Sequence, residues 1–172
     1  MEQRIKGTTG LMGLIGSPVG HSGSPEMYNF SFRYHNLDYA YLAFDIKEDQ
    51  VKEALEAIRL FRMRGCNVTM PCKNEAAKYM DELSPAARII GAVNTIVNDN
   101  GKLTGHITDG TGFVRNLREH GVEVRDKKLV VLGAGGAATA IQVQCALDGA
   151  RENSIFNPDD PFLARAKSTA EK

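Results

Sequence analysis

Apolar positions along the chain follow two spacings, one typical of strands and the other typical of helices. A short apolar run at residues 9–16 and an alternating, aromatic-rich run at residues 39–46 indicate two strands. Between them, Ser24 and Pro25 predict a helix start, because serine caps helix N-termini and proline suits the first helical position. One face of this helix is expected to carry Met27, Phe30, Ser31 and Tyr34.

The same spacings predict the elements of the rest of the chain. A longer helix is predicted over residues 48–63, with Gly65 as its C-terminal stop. Strands at residues 93–98 and 102–107 flank Asn100–Gly101, a strong hairpin signal. The other predicted strands are residues 67–70, 128–132 and 154–157, and the other predicted helices are residues 74–83, one beginning at Ser84 and Pro85, 109–121 and 137–149.

Alternating strands and helices predict an α/β protein with a mostly parallel sheet. We expect residues 1–110 to form a substrate-binding and catalytic domain, with a mixed, mostly parallel sheet flanked by helices. Residues 111–172 then form the first β-α-β unit of a Rossmann-like dinucleotide-binding domain. The boundary is expected on the helix over residues 109–121.

Composition excludes several classes of protein. The 172 residues carry 21 basic and 21 acidic side chains, so the net charge is zero and neither nucleic acid nor an anionic membrane is indicated as a partner. The 3 cysteines show no metal-ligand spacing and are expected to be reduced thiols. Residues 1–6 are polar and lack a signal-peptide core, and no apolar stretch is long enough to span a bilayer. A cytoplasmic protein is therefore expected.

A glycine-rich turn is the strongest sign of chemistry. Residues 133–138 read Gly-Ala-Gly-Gly-Ala-Ala, and they follow the apolar run at residues 128–132. A strand, a glycine turn and a helix in this order leave backbone N–H groups pointing at the helix N-terminus, where a pyrophosphate is favoured. The turn therefore predicts nucleotide binding.

Two acidic residues follow the next strand. Asp159 and Asp160 lie where an acidic residue binds the adenosine ribose in many such folds, although they also fit a pair of solvated turn residues. Pro158 stands where an arginine would bind a 2′-phosphate. This favours NAD slightly over NADP.

Further polar residues stand at the ends of predicted elements. Ser22 and Ser24 precede a helix and fit either a carboxylate site or simple capping. Lys73 follows a strand end and a proline turn, a position compatible with catalysis or with an ordinary surface lysine. Asp109 is a candidate acid and equally a candidate helix cap.

Together these elements resemble the shikimate/quinate dehydrogenase family over residues 10–157. The stretches that carry the resemblance are Ser22-Gly23-Ser24-Pro25, Asn67-Val68-Thr69-Met70-Pro71-Cys72-Lys73, Gly91-Ala92-Val93-Asn94-Thr95, Thr108-Asp109-Gly110 and Gly133-Ala134-Gly135-Gly136-Ala137. The resemblance implies reversible reduction of 3-dehydroshikimate or 3-dehydroquinate to shikimate or quinate, with NAD or NADP.

The resemblance also implies a role for each matching residue. Lys73 and Asp109 form the catalytic pair beside the reacting oxygen. Ser22 and Ser24 bind the ring carboxylate, and Thr69 and Asn94 bind ring hydroxyls. The cofactor contacts are Gly133, Ala134, Gly135, Gly136, Ala137, Asn157 and Asp159. No metal is implied.

The sequence departs from the family pattern in places. Ile107 stands where the family usually has asparagine, and the chain ends at Lys172 where family members continue. Apolar side chains such as Val130 and Leu132 are then expected to be partly exposed, which favours self-association into a homo-oligomer. The alternatives to an active dehydrogenase are an inactive protein that binds small carboxylates and a decayed gene product.

Overall fold

The computed structural model describes residues 5–171. Residues 1–4 of the polar N-terminal segment and Lys172 lie outside that range. The chain divides into two compact units, one holding residues up to 83 with 92–106, the other residues 84–91 with those from 107 onward. The assignment of separate functions to residues 1–110 and 111–172 stays a prediction.

The first unit is built on a six-stranded mixed sheet. Its strands are β1 (Gly10–Gly16), β2 (Tyr39–Asp45), β3 (Gly65–Val68), β4 (Glu82–Leu83), β5 (Thr95–Asp99) and β6 (Lys102–His106), and its helices are α1 (Ser24–Tyr34), α2 (Val51–Leu60) and α3 (Lys73–Ala77). The strand order is β2-β1-β3-β5-β6-β4. β1 runs parallel to β2 and β3, whereas β5 is antiparallel to β3 and β6. The predicted α/β class with a mixed sheet is confirmed.

The β5–β6 hairpin forms at the predicted turn. Asn100 and Gly101 have φ angles of 54° and 95°. Two successive residues with positive φ are what a tight two-residue hairpin requires, and asparagine and glycine tolerate this conformation best. The turn residues therefore fix the register in which Thr95 lies opposite His106.

Helix α1 differs from its prediction at both its cap and its packed face. Gly23 is the N-cap and makes no side-chain capping bond, so Ser24 does not cap. Phe32 is the buried residue of the helix, while Met27, Phe30 and Tyr34 are 58%, 62% and 75% exposed. The packed face is set by aromatic residues of β2, against which Tyr28 and Phe32 make ring contacts.

The predicted C-terminal stop of the second helix is wrong. Helix α2 ends at Leu60, and Arg62 takes the left-handed conformation at φ 51°. Gly65 is instead the first residue of β3, where a Cβ atom would lie 2.5 Å from the carbonyl oxygen of Ile96. A close approach of two strands, rather than a helix end, requires glycine at this position.

Helix α3 is also shorter than predicted. It ends at Ala77, and Glu82 and Leu83 form the short strand β4. The Asp81 N–H donates to the Leu103 carbonyl (2.9 Å), and the Leu103 N–H donates to the Asp81 carboxylate (2.6 Å). This reciprocal pair of hydrogen bonds holds Asp81 against β6, so the helix does not continue to this residue.

The second unit contains one β-α-β element and additional helices. Its members are α4 (Pro85–Ile90), α5 (Asp109–Glu119), β7 (Lys128–Leu132), α6 (Gly136–Leu147), β8 (Glu152–Phe156) and α7 (Pro161–Ala170). β7 and β8 pair in parallel, as predicted for the first part of a Rossmann-like domain. The predicted cap of α4 forms, because Ser84 accepts from the Ala87 N–H, and in α7 the Asp160 carboxylate caps the helix by accepting from the Phe162 N–H.

The two-stranded sheet leaves apolar side chains open to solvent. Val130, Leu132 and Phe156 are 68%, 80% and 62% exposed. Val114, Val124 and Cys145 form a buried cluster in this unit. Across residues 5–171, no helix combines the length and the apolar character needed to cross a bilayer.

Candidate functional site

A cavity of about 410 Å³ lies in the first unit, at the ends of β1 and β3 and beside the start of α1. It is lined by Leu14, Ser17, Pro18, Val19, His21, Ser22, Ser24, Met27, Tyr28, Asn67, Val68, Thr69, Met70, Lys73 and Asn94. The structure thus brings together every residue of the first unit to which the sequence assigned substrate binding or catalysis. They are Ser22, Ser24, Thr69, Lys73 and Asn94.

The floor of the cavity is set by the close packing of two strand ends. The Thr69 N–H donates to the Ile15 carbonyl (2.9 Å), and the Ser17 N–H donates to the Met70 carbonyl (3.0 Å). A Cβ atom on Gly16 would lie 2.4 Å from the Thr69 Cγ2 atom. The Thr69 side chain is therefore held at a fixed position by a neighbour that has to be glycine.

The two serines frame the first turn of α1. The Ser22 hydroxyl accepts from the Ser24 N–H at 3.2 Å, which turns the loop so that both side chains line the cavity. Since Ser24 makes no capping bond, the capping interpretation of this residue does not hold. Two hydroxyls next to a helix N-terminus are suited to binding a carboxylate.

Lys73 is the first residue of α3 and is half-buried at the cavity wall. Its backbone carbonyl accepts from the Val93 N–H (3.0 Å), and the Cys72 N–H donates to the Thr69 carbonyl (3.0 Å). These bonds fix the turn that carries the lysine. Among the described residues that line the cavity there is no carboxylate side chain, so the local charge favours an anionic ligand.

A chain of hydrogen bonds lies beside the cavity. The buried Tyr41 hydroxyl donates to Asn67 Oδ1 at 2.8 Å. The Asn67 amide nitrogen donates to the Thr95 hydroxyl (3.3 Å), and the Thr95 hydroxyl donates to Asn94 Oδ1 (3.0 Å). Burial raises the pKa of the Tyr41 phenol, with the nearby Cys66 thiol and Tyr28 phenol adding to the effect. The phenol is therefore a hydrogen-bond donor at neutral pH.

Sequence reasoning did not assign roles to Asn67, Tyr41 and Thr95. Asn67 had a usable signal, because it stands two residues before Thr69 and strand geometry places such residues on the same face. Tyr41 had none, since its contact with Asn67 spans the intervening strand β1. Only the three-dimensional register brings these two residues together.

The glycine-rich turn of the second unit joins β7 to α6. Gly133 has a φ of 107°, which glycine tolerates best, and Cβ atoms built on Gly135 and Gly136 would meet no described atom within 4 Å apart from their chain neighbours and the adjoining helix backbone. The protein's own packing therefore does not require glycine at these two positions. Open space beside a helix N-terminus that no side chain caps fits the approach of a pyrophosphate group.

Side chains of α6 orient the carbonyl groups of this turn. The Gln142 amide donates to the Gly133 carbonyl (3.2 Å), and the Thr139 hydroxyl bonds the carbonyls of Ala134 (3.3 Å) and Gly135 (3.0 Å). The carbonyl oxygens are thus turned toward the helix. This leaves the N–H groups at the start of α6 as the polar groups suited to an anion.

Asn157 links the turn to the end of β8. Its Oδ1 atom accepts from the Ala134 N–H (2.9 Å), and its amide nitrogen donates to the Asp160 carboxylate (2.8 Å). Asp160 also caps α7 and is half-buried, so it is a helix cap rather than a solvated turn residue. Asp159 is exposed, and its predicted ribose contact stays a prediction.

Asp109 belongs to the second unit, where it is the exposed first residue of α5. The N-cap of that helix is Thr108, which makes no side-chain capping bond. The interpretation of Asp109 as a helix cap is therefore wrong. Its assignment as the partner of Lys73 stays a prediction.

Comparison with known proteins identifies relatives over nearly the whole chain. Residues 14–96 match the family model of the shikimate dehydrogenase substrate binding domain. Shikimate dehydrogenase (NADP(+)) of Listeria monocytogenes serotype 4b is 54% identical over 170 residues, which cover 99% of this chain and 58% of the relative. The chain therefore spans 58% of the length of that relative.

Solved structures of similar proteins share the fold. Shikimate 5-dehydrogenase from Listeria monocytogenes, in complex with shikimate and NAD, aligns with a TM-score of 0.96 and 53% identity over 99% of this chain and 59% of that one. The 5-ketofructose reductase of Gluconobacter sp. strain CHM43 aligns with a TM-score of 0.90 and 32% identity, over 97% of this chain and 60% of that one.

Proposed function

The chain belongs to the shikimate dehydrogenase family, and from this premise we propose that it takes part in the reversible reduction of 3-dehydroshikimate to shikimate. The observation that carries the proposal is the cavity of the first unit. Hydroxyl, amide and ammonium groups from Ser22, Ser24, Thr69, Asn94 and Lys73 line it. This donor set suits a ring that carries one carboxylate and several hydroxyls.

The carboxylate of the substrate is assigned to the serine end of the cavity. Ser22 and Ser24 supply hydroxyl donors, and the first turn of α1 adds the partial positive charge of a helix N-terminus. The fold alone does not determine the substrate, since a protein named 5-ketofructose reductase shares it. The carboxylate-directed serines are therefore the basis for assigning shikimate or quinate to this cavity.

Lys73 is assigned to the oxygen of the reacting carbon. The lysine side chain supplies an ammonium group, and a cation stabilises the negative charge that develops on oxygen during reduction of a ketone. Lys73 Nζ then donates a proton to that oxygen, or takes it back in the reverse direction. Asp109 is proposed to hold the lysine side chain in place.

The residues of the second unit fit a nicotinamide dinucleotide, which supplies the hydride when bound. Residues 133–137 are proposed to hold its pyrophosphate, with Asn157 fixing the turn and Asp159 contacting the adenosine ribose. The relative from Listeria monocytogenes serotype 4b is named for NADP(+), whereas the solved structure of the Listeria monocytogenes enzyme contains NAD. A slight preference of this chain for NAD stays a prediction that rests on Pro158 and Asp159.

A second candidate function is binding without turnover. All of the residues that line the cavity belong to the first unit. An inactive protein that binds small carboxylates needs this cavity alone. Turnover requires the cofactor as well, so the two functions differ in whether the nicotinamide is reduced.

The test is an absorbance assay of nicotinamide reduction, with shikimate or quinate and either NAD or NADP. We expect turnover of shikimate by the unmodified chain and a loss of at least about 100-fold in Lys73→Ala, because general acid–base and charge stabilisation each contribute at least that much. Lys78→Ala is the matched control, since Lys78 is an exposed lysine at the end of α3 and does not line the cavity.

The outcomes separate the two functions. Absence of turnover together with a rise in Tm on adding shikimate would favour the binding protein, because a ligand that binds only the folded state stabilises it. Absence of both would contradict the assignment of the cavity. Equal turnover by Lys73→Ala and Lys78→Ala would contradict the role of the lysine.

Two further expectations accompany this function. The free cysteines Cys66, Cys72 and Cys145 are all buried, which suits the proposed cytoplasmic location. The exposed side chains Val130, Leu132 and Phe156 support the proposed self-association of the 172-residue chain. Sedimentation velocity at several protein concentrations tests the second expectation, and a monomer at all concentrations would contradict it.

A further inference from the structure

The hydrogen bonds between Tyr41, Asn67, Thr95 and Asn94 all run in one direction. Tyr41 donates to the Asn67 amide oxygen, the Asn67 amide nitrogen donates to the Thr95 hydroxyl, and that hydroxyl donates to the Asn94 amide oxygen. The Thr95 hydroxyl accepts one hydrogen bond and donates the next, so the direction of the first bond fixes the direction of the bond that follows. The first donor therefore determines which end of each amide is oxygen and which is nitrogen.

The first donor is held rigidly. Tyr41 is fully buried, and its ring stacks on Tyr28 with centroids 4.5 Å apart and planes inclined by 11°. Its backbone is fixed as well, because the Asn29 side chain donates to the Tyr41 carbonyl (2.8 Å) and accepts from the Tyr41 N–H (3.0 Å). The phenol therefore has a single accessible position from which to donate to Asn67.

Two members of this hydrogen-bonded chain belong to the cavity. Asn67 and Asn94 line it, whereas Tyr41 and Thr95 do not. Both donor hydrogens of the Asn67 amide are directed inside the protein, to the Asn94 carbonyl (3.3 Å) and the Thr95 hydroxyl (3.3 Å). Asn67 consequently contributes to the cavity as an acceptor, through the second lone pair of Oδ1. The bond from Thr95 defines Oδ1 as the acceptor end of the Asn94 amide, with Nδ2 as the opposite end.

We propose that Tyr41 and Thr95 are positioning residues, which fix the orientation of the Asn67 and Asn94 amides and so give the cavity its selectivity for a hydroxylated ring. A substrate hydroxyl both donates and accepts hydrogen bonds. It is therefore recognised by the fixed acceptor of Asn67 together with the fixed orientation of the Asn94 amide. A ring without hydroxyls gains nothing from this arrangement. The selectivity claim rests on the proposed function, while the orientation of the amides does not.

The first arm of the test needs no ligand. Side-chain amide resonances of Asn67 and Asn94 are followed by ¹H–¹⁵N NMR in the unmodified chain, Tyr41→Phe, Thr95→Val and Thr95→Ser. We expect Tyr41→Phe to shift the Asn94 amide, although the two residues are joined only through Asn67 and Thr95. Thr95→Val should shift both amides, and Thr95→Ser should restore them. An Asn94 amide unchanged in Tyr41→Phe and Thr95→Val would overturn the proposal.

The second arm measures selectivity by calorimetric titration with two probes. Shikimate carries the ring hydroxyls, and cyclohex-1-ene-1-carboxylate carries the same carboxylate without them. We expect Tyr41→Phe and Thr95→Val to weaken shikimate binding by about 5- to 10-fold, the size expected for one or two misplaced hydrogen bonds, with under about 2-fold change for the second probe. Thr95→Ser should retain the unmodified ratio.

The outcomes are distinguishable. Equal weakening of both probes would overturn the selectivity claim, since a general structural defect affects every ligand. If the unmodified chain does not bind shikimate, the proposed function fails, and the NMR arm still decides the amide orientation. Should Tyr41→Phe fail to fold, the contrast between Thr95→Val and Thr95→Ser carries the test, because valine keeps the shape of threonine without its hydroxyl and serine keeps the hydroxyl without the methyl group.

Discussion

Gly16 connects the fold to the cavity, so replacing it with alanine tests both. Its φ of +153° lies in a region that side-chain-bearing residues rarely adopt, and a Cβ atom would lie 2.4 Å from Thr69 Cγ2 and 2.8 Å from the Met70 carbonyl oxygen. Neither neighbour is the end of a long flexible side chain. Relief of the contact therefore requires movement of the strand end that carries Thr69.

The magnitude follows from two costs. Strained backbone at such a position costs about 1–3 kcal/mol, and forced overpacking costs about 1–3 kcal/mol. The expected loss is therefore about 2–6 kcal/mol, against a total folding stability of about 5–15 kcal/mol. With a urea m-value of about 2 kcal/mol/M, this corresponds to a midpoint lowered by about 1–3 M.

The assay is urea unfolding followed by circular dichroism, together with shikimate titration of the folded protein. Gly20→Ala is the matched control, because Gly20 lies close in sequence and a Cβ atom there would meet nothing within 4 Å. We expect it to change stability by no more than about 0.5 kcal/mol. If Gly16→Ala matched Gly20→Ala in both stability and shikimate affinity, the packing argument would be refuted.

Further predictions concern the acid stability of the first unit and the cofactor residues of the second. Hydrogen bonds from the Leu103 N–H and Arg59 hold the pKa of Asp81 below its usual 3.8, so its contribution to stability is present above about pH 3.8 and is lost as the pH falls further. Unfolding measured from pH 7 to pH 3 should therefore show that Asp81→Asn is less stable than the unmodified chain at pH 7, and that this difference in stability narrows in acid. A difference that stays constant with pH would contradict this. Asn157→Ala removes the acceptor of the Ala134 N–H, so fluorescence titration should show weaker NADH binding by about 3- to 10-fold with shikimate affinity unchanged, whereas weakening of both would indicate general damage. Asp159→Ala should weaken NAD binding more than NADP binding, and equal affinities before and after the change would show that Asp159 is only a turn residue.

Local chemistry explains which elements were predictable. The hairpin turn at Asn100–Gly101 and the Ser84 cap depend on contacts within a few residues, so the sequence pattern predicts them correctly. The packed face of α1 and the role of Gly65 depend on partners far away in sequence. Phe32 is buried by aromatic residues of β2, and Gly65 is required by the carbonyl of Ile96.

The candidate site shows the same division. The cavity residues Ser22, Ser24, Thr69, Lys73 and Asn94 were accessible because each stands in a short motif at the end of a strand or the start of a helix. The residues that orient them were not, since Tyr41 reaches Asn67 across β1 and Thr95 faces Asn67 through the antiparallel register of β3 and β5. Hydrogen bonds across a sheet leave no periodic trace in the sequence.

The central claim is that the serine end of the first-unit cavity binds the carboxylate of a hydroxylated ring. Its most direct test is calorimetric titration of shikimate into the unmodified chain and into Ser22→Ala/Ser24→Ala, with Ser154→Ala in β8 as the control. We predict binding of one shikimate per chain, unchanged in the control and weakened at least about 10-fold in the double variant, as expected for two hydrogen bonds to a charged group. Undiminished binding by a folded double variant would contradict the account.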